Sequence, residues 1–250
     1  MRICVPIPCF FPKLDLCEAI ERVAALGFDA VEIYKWKDLN LDRVRFALEK
    51  NNVEMLSMCT SEFRMTDPEY RDLWLAGLRE SCAAANRLGV RRLITQVGPD
   101  TGKPRSEQHA AIVAALHAAK PILEESNVTV MIEPLNTYVD HKGYYLWSSA
   151  EAFEIIRQVN HPLVKMVFDI YHQQVMEGNI IPNITNNLDC IAHLHAAGHP
   201  GRHELQFGEN NYRFIIDEVE KAGYAGAIGV EYKPLLSPEE SLQSVKLLYG

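Results

Sequence analysis

The feature that most constrains the fold of this chain is an alternation. Eight short apolar runs, at residues 3–7, 30–34, 54–58, 92–96, 128–133, 164–169, 191–195 and 227–231, are each followed by a stretch with helical periodicity. Those stretches cover 14–26, 41–51, 68–88, 106–125, 148–159, 173–187, 212–222 and 238–249. Runs rich in Val, Ile and Leu without polar alternation are what strands buried on both faces require, and such strands need helical crossovers to pair in parallel. Eight repeats of that unit predict an α/β fold, a (β/α)8 TIM barrel. The punctuation agrees. Gly27, Gly89 and Gly223 stand just past helical stretches, and Ser148 and Ser237 precede acid-rich first turns. With 250 residues and no linker or low-complexity tract, one domain spanning 1–250 is expected.

Composition excludes some partners. A chain that is 48% hydrophobic and 23% charged buries a large core, and a formal net charge of -8 disfavours nucleic acid, whose phosphates require a basic face. A small molecule is the expected partner. The six cysteines are dispersed, with no Cys-x-x-Cys pair, which fits reduced thiols and a cytoplasmic protein. No apolar run is long enough to span a bilayer, and the N-terminus lacks the layout of a signal peptide, so no membrane partner is expected.

The last four runs share a second property, because Val-Met-Ile-Glu133, Val-Phe-Asp169, Ala-His-Leu-His195 and Gly-Val-Glu231 each end in a side chain able to bind a divalent metal. Separations of 36, 26 and 36 residues match one strand–helix unit each. The C-terminal rim of such a barrel is where active sites are built, so an acid or imidazole recurring on four successive strand ends predicts convergence on one site. Three carboxylates and one imidazole without cysteine suit Mn²⁺, Mg²⁺, Co²⁺ or Zn²⁺ in a catalytic rather than a structural role. Such an ion acidifies the hydrogen on a carbon beside a carbonyl, and a carboxylate can then move that proton.

Other residues fall near the same rim. His172, three residues after Asp169, is placed near substrate oxygens, whereas His193, one layer below His195, reads as a core or supporting group. Arg202, in the loop Gly-His-Pro-Gly-Arg-His-Glu, is a bidentate partner for a carboxylate or diol, with Glu204 to orient it, and Lys233 is a second cation at the mouth. Phe10, Phe11, Trp36, Lys37 and Cys59 are candidates for lining the mouth. Aromatic loops on a rim also fit a homodimer.

The segments Ile132-Glu133-Pro134-Leu135-Asn136, Phe168-Asp169-Ile170-Tyr171-His172, Pro200-Gly201-Arg202-His203-Glu204, Gly208-Glu209-Asn210-Asn211-Tyr212 and Val230-Glu231-Tyr232-Lys233-Pro234 resemble the xylose-isomerase-like barrels, and among them the hydroxypyruvate isomerases. The resemblance covers nearly the whole chain. It implies that Glu133 and Glu231 touch the metal and act as the acid/base pair, that Asp169 and His195 complete the metal shell, that His172 meets a substrate oxygen, and that Arg202 and Glu204 form a substrate-side pair. It also implies proton transfer through a cis-enediolate, with hydroxypyruvate to tartronate semialdehyde as the leading reaction and one Mn²⁺ or Mg²⁺ as cofactor. The resembling isomerases usually carry Gln where this chain has His195, whereas the related ketose 3-epimerases carry His. Those epimerases usually carry Glu where this chain has Val139. A ketose 3-epimerase and a non-catalytic sugar-acid binding barrel are the alternatives. The trinuclear zinc nucleases of the same group need further histidines at the ends of the third and fourth strands, where this chain has Met58-Cys59 and Gln96-Val97.

Overall fold

The computed structural model describes residues 1–249. Its strands are β1 (Arg2–Pro6), β2 (Ala30–Ile33), β3 (Glu54–Cys59), β4 (Arg92–Thr95), β5 (Thr129–Ile132), β6 (Val164–Asp169), β7 (Ile191–His195) and β8 (Ala227–Gly229). All pair in parallel in chain order, and β8 closes on β1 through Arg2 with Ala227, Ile3 with Ile228 and Cys4 with Gly229. The expected (β/α)8 barrel is therefore the observed one.

The helices are α1 (Ile7–Phe10), α2 (Leu16–Ala25), α3 (Leu41–Asn51), α4 (Arg71–Leu88), α5 (Arg105–Ser126), α6 (Ser149–Val159), α7 (Ile170–Met176), α8 (Ile180–Thr185), α9 (Tyr212–Lys221) and α10 (Pro238–Tyr249). Each main crossover helix lays an apolar stripe on the sheet: Ala19, Ile20 and Val23 from α2, and Ile215, Ile216 and Val219 from α9, are buried. Asp15, Asn40, Ser148 and Asn211 cap helix starts by accepting from backbone N–H groups two or three residues on. The stops at Asn52, Asn127 and Asn160 are left-handed residues, a role that asparagine fills here in place of glycine.

Two local readings need correction. The single helix expected over 173–187 is two short ones, because Gly178 (φ 68°) and Asn179 (φ 50°) take left-handed conformations that cannot continue a helix. The first of the two begins at once after β6, since Asp169 Oδ1 accepts from the N–H groups of Tyr171 (2.8 Å) and His172 (3.4 Å). Phe10 and Phe11 do not line a mouth. Both are buried in the main core, where Phe10 meets Tyr232 edge-on with centroids 5.1 Å apart.

Most of the core lies between sheet and helices, but the barrel lumen has its own layers. Cys4, Ala30, Leu56 and Ala227 form a small apolar cluster, and Ile94, Met131 and Val167 form another. Alternate residues on one strand face the same side. Gln96, Glu133, Asp169 and His195 therefore stand one step further along the inward faces that carry Ile94, Met131, Val167 and His193. The outward face is packed hydrocarbon: Phe168 is fully buried and stacks on Phe153 at 6.5 Å. Phe168→Ala should cost about 3–5 kcal/mol through cavity formation, read by urea unfolding. A loss below about 1 kcal/mol would show that this layer does not pack as described.

Candidate functional site

Four of the sequence-expected side chains meet at the C-terminal end of the barrel. One ligand atom each from Glu133, Asp169, His195 and Glu231 lies within 4.8 Å of the others. Asp169 and His195 close β6 and β7, Glu133 follows β5 directly, and Glu231 lies two residues past β8. His195 Nδ1 is 3.4 Å from Glu133 Oε1 and 3.2 Å from Glu231 Oε2. Asp169 divides its carboxylate, since Oδ1 caps α7 while Oδ2 faces the cluster.

The donor set fits a divalent cation. Asp169 Oδ2 and His195 Nδ1 are buried without a hydrogen-bond partner, a costly condition unless something else engages them. His172 Nε2 at 3.4 Å and Arg202 Nη2 at 3.7 Å from Asp169 Oδ2 are charge-range neighbours, too distant to bond it well. Burial pushes the Asp169 carboxyl up to about 7, against the opposing pull of Arg202 and with the help of Glu231. Acids that repel one another in a dry site are the setting in which a bound cation is most stabilising.

Below the cluster lies Glu32, which the sequence reading passed over. It is fully buried at the inward face of β2, and its Oε2 accepts from Ser57 Oγ at 2.6 Å. The same oxygen lies 3.1 Å from His193 Nε2 and 3.3 Å from His195 Nε2. Burial alone would raise the Glu32 carboxyl, but His195 and His193 outweigh that and hold it well below the ordinary range. With Glu32 beside Nε2, the Nδ1 of His195 is the nitrogen turned to the cluster. Gly229 makes the room, because a Cβ there would collide with Glu32 Oε1 and approach His195 Cδ2 to 2.7 Å. A signal for Glu32 was available: a lone acid between Ala30-Val31 and Ile33 in a run otherwise fit for burial. Cys4 forms a second close group with Glu32 and His193, but burial pushes its thiol well up and keeps it protonated.

A cavity of about 250 Å³ opens on the cluster, lined in part by Tyr34, Gln96, His141, His172 and Arg202. His172 Nδ1 accepts from the backbone N–H (3.2 Å) and side-chain amide (2.7 Å) of Asn136, so the proton sits on Nε2. Burial, reinforced by Arg202, holds the His172 pKa well below its ordinary value, so the ring is a neutral donor. Tyr34 OH donates to Glu231 Oε1 at 2.6 Å and Arg202 Nη2 to Glu231 Oε2 at 2.7 Å. Burial opposes the charge on Glu231, yet Arg202 and then His195 hold its pKa far below the usual range. Asn136 and His141 were not singled out from the sequence, because a strand-end pattern does not report loop residues, and Tyr34, the last residue of the run 30–34, was passed over because a phenol is not among the acids and imidazole that recur at the later strand ends.

Arg202 reaches the site, but its expected pairing with Glu204 is absent. Glu204 is fully buried and accepts instead from the N–H groups of Leu235 (2.9 Å) and Leu236 (3.0 Å) and from Ser241 Oγ (2.9 Å). It ties the loop after β7 to the loop after β8. A turn explains the difference, for Gly198 and His203 bond reciprocally and Arg202 is left-handed (φ 58°), which directs the neighbouring side chains apart. Lys233 is exposed and outside the cavity lining; its N–H donates to Arg202 O at 2.8 Å and its carbonyl accepts from His203 Nδ1. Its contribution is through the backbone.

Residues 20–249 match the xylose isomerase-like TIM barrel family. The chain is 28% identical over 256 residues to hydroxypyruvate isomerase of Escherichia coli (strain K12), covering 97% of each chain. It is 34% identical over 146 residues to 2-oxo-tetronate isomerase of Cupriavidus necator, covering 58% of this chain and 56% of that one. In three dimensions it is similar to the crystal structure of an AP endonuclease, family 2, from Brucella melitensis, with TM-score 0.93, 25% identity and 98% of each chain covered. The strand ends that would carry a nuclease's additional histidines hold Cys59 and Gln96 here.

Glu32→Gln, which replaces the shared carboxylate by an amide, should weaken Mn²⁺ binding by roughly 10–100-fold, measured by calorimetric titration. Affinity equal to the parent would show that Glu32 does not orient His195.

Proposed function

Because the chain belongs to the xylose isomerase-like TIM barrel family, we propose that it is a metal-dependent isomerase of short α-hydroxy carbonyl acids, with hydroxypyruvate to tartronate semialdehyde as the leading reaction. The observation that carries this reading is the placement of two carboxylates, Glu133 and Glu231, on either side of His195 Nδ1 at the wall of one cavity. The similarity to hydroxypyruvate isomerase and 2-oxo-tetronate isomerase supports an isomerase acting on a small sugar acid.

Glu133, Asp169, His195 and Glu231 would hold one divalent ion, Mn²⁺ or Mg²⁺ by ligand type, with Co²⁺ and Zn²⁺ also compatible. When bound, that ion supplies Lewis-acid polarisation of a carbonyl. The remaining work falls to the chain. The carbon-bound proton leaves C3 of hydroxypyruvate and is returned at C2, while the hydroxyl proton passes from O3 to O2, by way of a cis-enediolate. Glu133 and Glu231 come from β5 and β8, which lie apart in the barrel, so one can receive the C3 proton and the other deliver a proton to C2. Tyr34 and Arg202 anchor the two oxygens of Glu231 and fix its direction. The neutral His172 donates its Nε2–H to a substrate oxygen, and Arg202 stands at the cavity wall as partner for the substrate carboxylate.

One feature favours a second reading. His195 supplies an imidazole where the resembling isomerases usually carry Gln and the ketose 3-epimerases carry His; in a ketose 3-epimerase the same two glutamates would act on opposite faces of one carbon.

Incubating the Mn²⁺-loaded protein with hydroxypyruvate in deuterated water should place solvent deuterium at C2 of an aldehyde product. Chelation should abolish that exchange and added Mn²⁺ restore it. A C3 epimer formed from fructose faster than hydroxypyruvate is consumed would replace the leading reading by the second, and no exchange into any substrate would leave only a binding role.

Glu133→Gln and Glu231→Gln should each lower turnover by about 10²–10⁴-fold with the circular dichroism spectrum retained. An unaltered rate would remove that residue from proton transfer.

A further inference from the structure

Beneath the rim a second set of donors converges inside the barrel. Cys4 on β1, Glu32 on β2 and His193 on β7 are all buried, and one ligand atom from each lies within 4.8 Å of the others. None of the three lines the cavity that opens on the rim cluster. Cys4 stands opposite Gly229 of β8 and shares its layer with Ala30, Leu56 and Ala227. That layer is made mostly of small side chains, whereas a barrel lumen is ordinarily filled by bulky branched ones.

Two observations mark the set as more than packing. Glu32 is satisfied on one side only. Its Oε2 takes Ser57 Oγ at 2.6 Å and His193 Nε2 at 3.1 Å, whereas Oε1 is buried without a hydrogen-bond partner among the described residues, with His195 Nε2 at charge range, 3.3 Å. A carboxylate oxygen left open in a dry interior is costly and marks a place for a partner. The second observation is mutual repulsion: burial first, and then Glu32, push the Cys4 thiol well up. A cation set between the two reverses that logic, because a coordinating thiol gives up its proton outright and two negative charges then face a positive one.

Donor type selects the ion. The rim offers three carboxylates and one imidazole, a set for hard cations, whereas sulfur, nitrogen and oxygen from Cys4, His193 and Glu32 suit a thiophilic one. We propose that Cys4, Glu32 and His193 form a second divalent-metal site inside the barrel, selective for Zn²⁺ or Co²⁺ over Mn²⁺ and Mg²⁺. Binding releases the Cys4 thiol proton to solvent, while the His193 proton that faces Glu32 moves from Nε2 to Nδ1 so that Nε2 can ligate. The ion ties β1, β2 and β7 across the barrel, a structural role that stands apart from the isomerase reading and needs no turnover to detect.

The test titrates Co²⁺ into the Mn²⁺-loaded protein, its cysteines kept reduced by a non-thiol reductant, and reads the thiolate-to-cobalt charge-transfer absorption in the near ultraviolet. Bound Zn²⁺ is counted in parallel. The parent should develop the band and hold about two Zn²⁺ per chain. Cys4→Ala should lose the band and hold about one, with Mn²⁺ binding at the rim retained as the control for folding. Cys9, Cys17 and Cys59 are the part-exposed thiols, and Cys59 lines the rim cavity, so Cys9→Ala/Cys17→Ala/Cys59→Ala removes the competing sources of sulfur and should keep the band. A parent without the band overturns the site, as does a band lost in the triple variant or one that persists in folded Cys4→Ala. Should Cys4→Ala not fold, the parent and the triple variant still decide.

Discussion

A carboxylate with no access to water sits near the axis of this barrel, and the arrangement above it depends on how that charge is satisfied. Isolated burial of Glu32 would cost several kcal/mol. Ser57, His193 and His195 converge on it from β3 and β7 and offset that cost. The same contacts assign the nitrogens of His195, leaving Nδ1 for the cluster. Replacement of Gly229 by any residue with a Cβ would push into this pair, so the glycine on β8 and the acid on β2 are parts of one device. Closing the sheet from β8 back to β1 is what brings them together.

Above that layer the balance of charge is deliberate in a physical sense: Glu133, Asp169 and Glu231 add three acids, while His195 and Arg202 are the cations that face them. Burial opposes a charged His195, yet Glu32 and then Glu133 and Glu231 hold its pKa well above the ordinary value. Asp169 shows how one residue serves both fold and site. Its Oδ1 starts α7, which carries His172, and the helix start in turn fixes where Oδ2 points. Asn136 then sets the tautomer of His172 from the loop after β5.

The barrel was legible because alternation of apolar runs and helical periodicity is a property of the whole chain, insensitive to errors of two residues at any boundary. The four strand-end ligands were legible for a related reason: a strand buried on both faces has no local use for an acid at its end. Glu32 carries the same signal in weaker form, one acid in a four-residue strand, and without a second acid to recur with it, it blends into the run. Glu204 marks the opposite failure. Its proximity in sequence to Arg202 suggested a pair, but a turn with Arg202 in the left-handed region sends the two side chains to different partners. The break at Gly178-Asn179 was visible as residues but not as geometry, since the apolar pattern on either side is compatible with one continuous helix.

Division of labour follows from where each residue is held. Glu133, Asp169, His195 and Glu231 stand on strand ends or within two residues of them, close to backbone fixed by ladder hydrogen bonds, and that rigidity is what a precisely spaced set of ligand atoms requires. Trp36 and Phe63 are on connections, and even there Trp36 is pinned by the Cys59 carbonyl. Gln96 lies between the two regimes, one residue past β4 and at the wall of the cavity that opens on the cluster. The loops after β2, β3 and β4 are thus held on elements separate from those that carry the acids of β5, β6 and β8, and the strand-end cluster by itself carries little information about how long a substrate is.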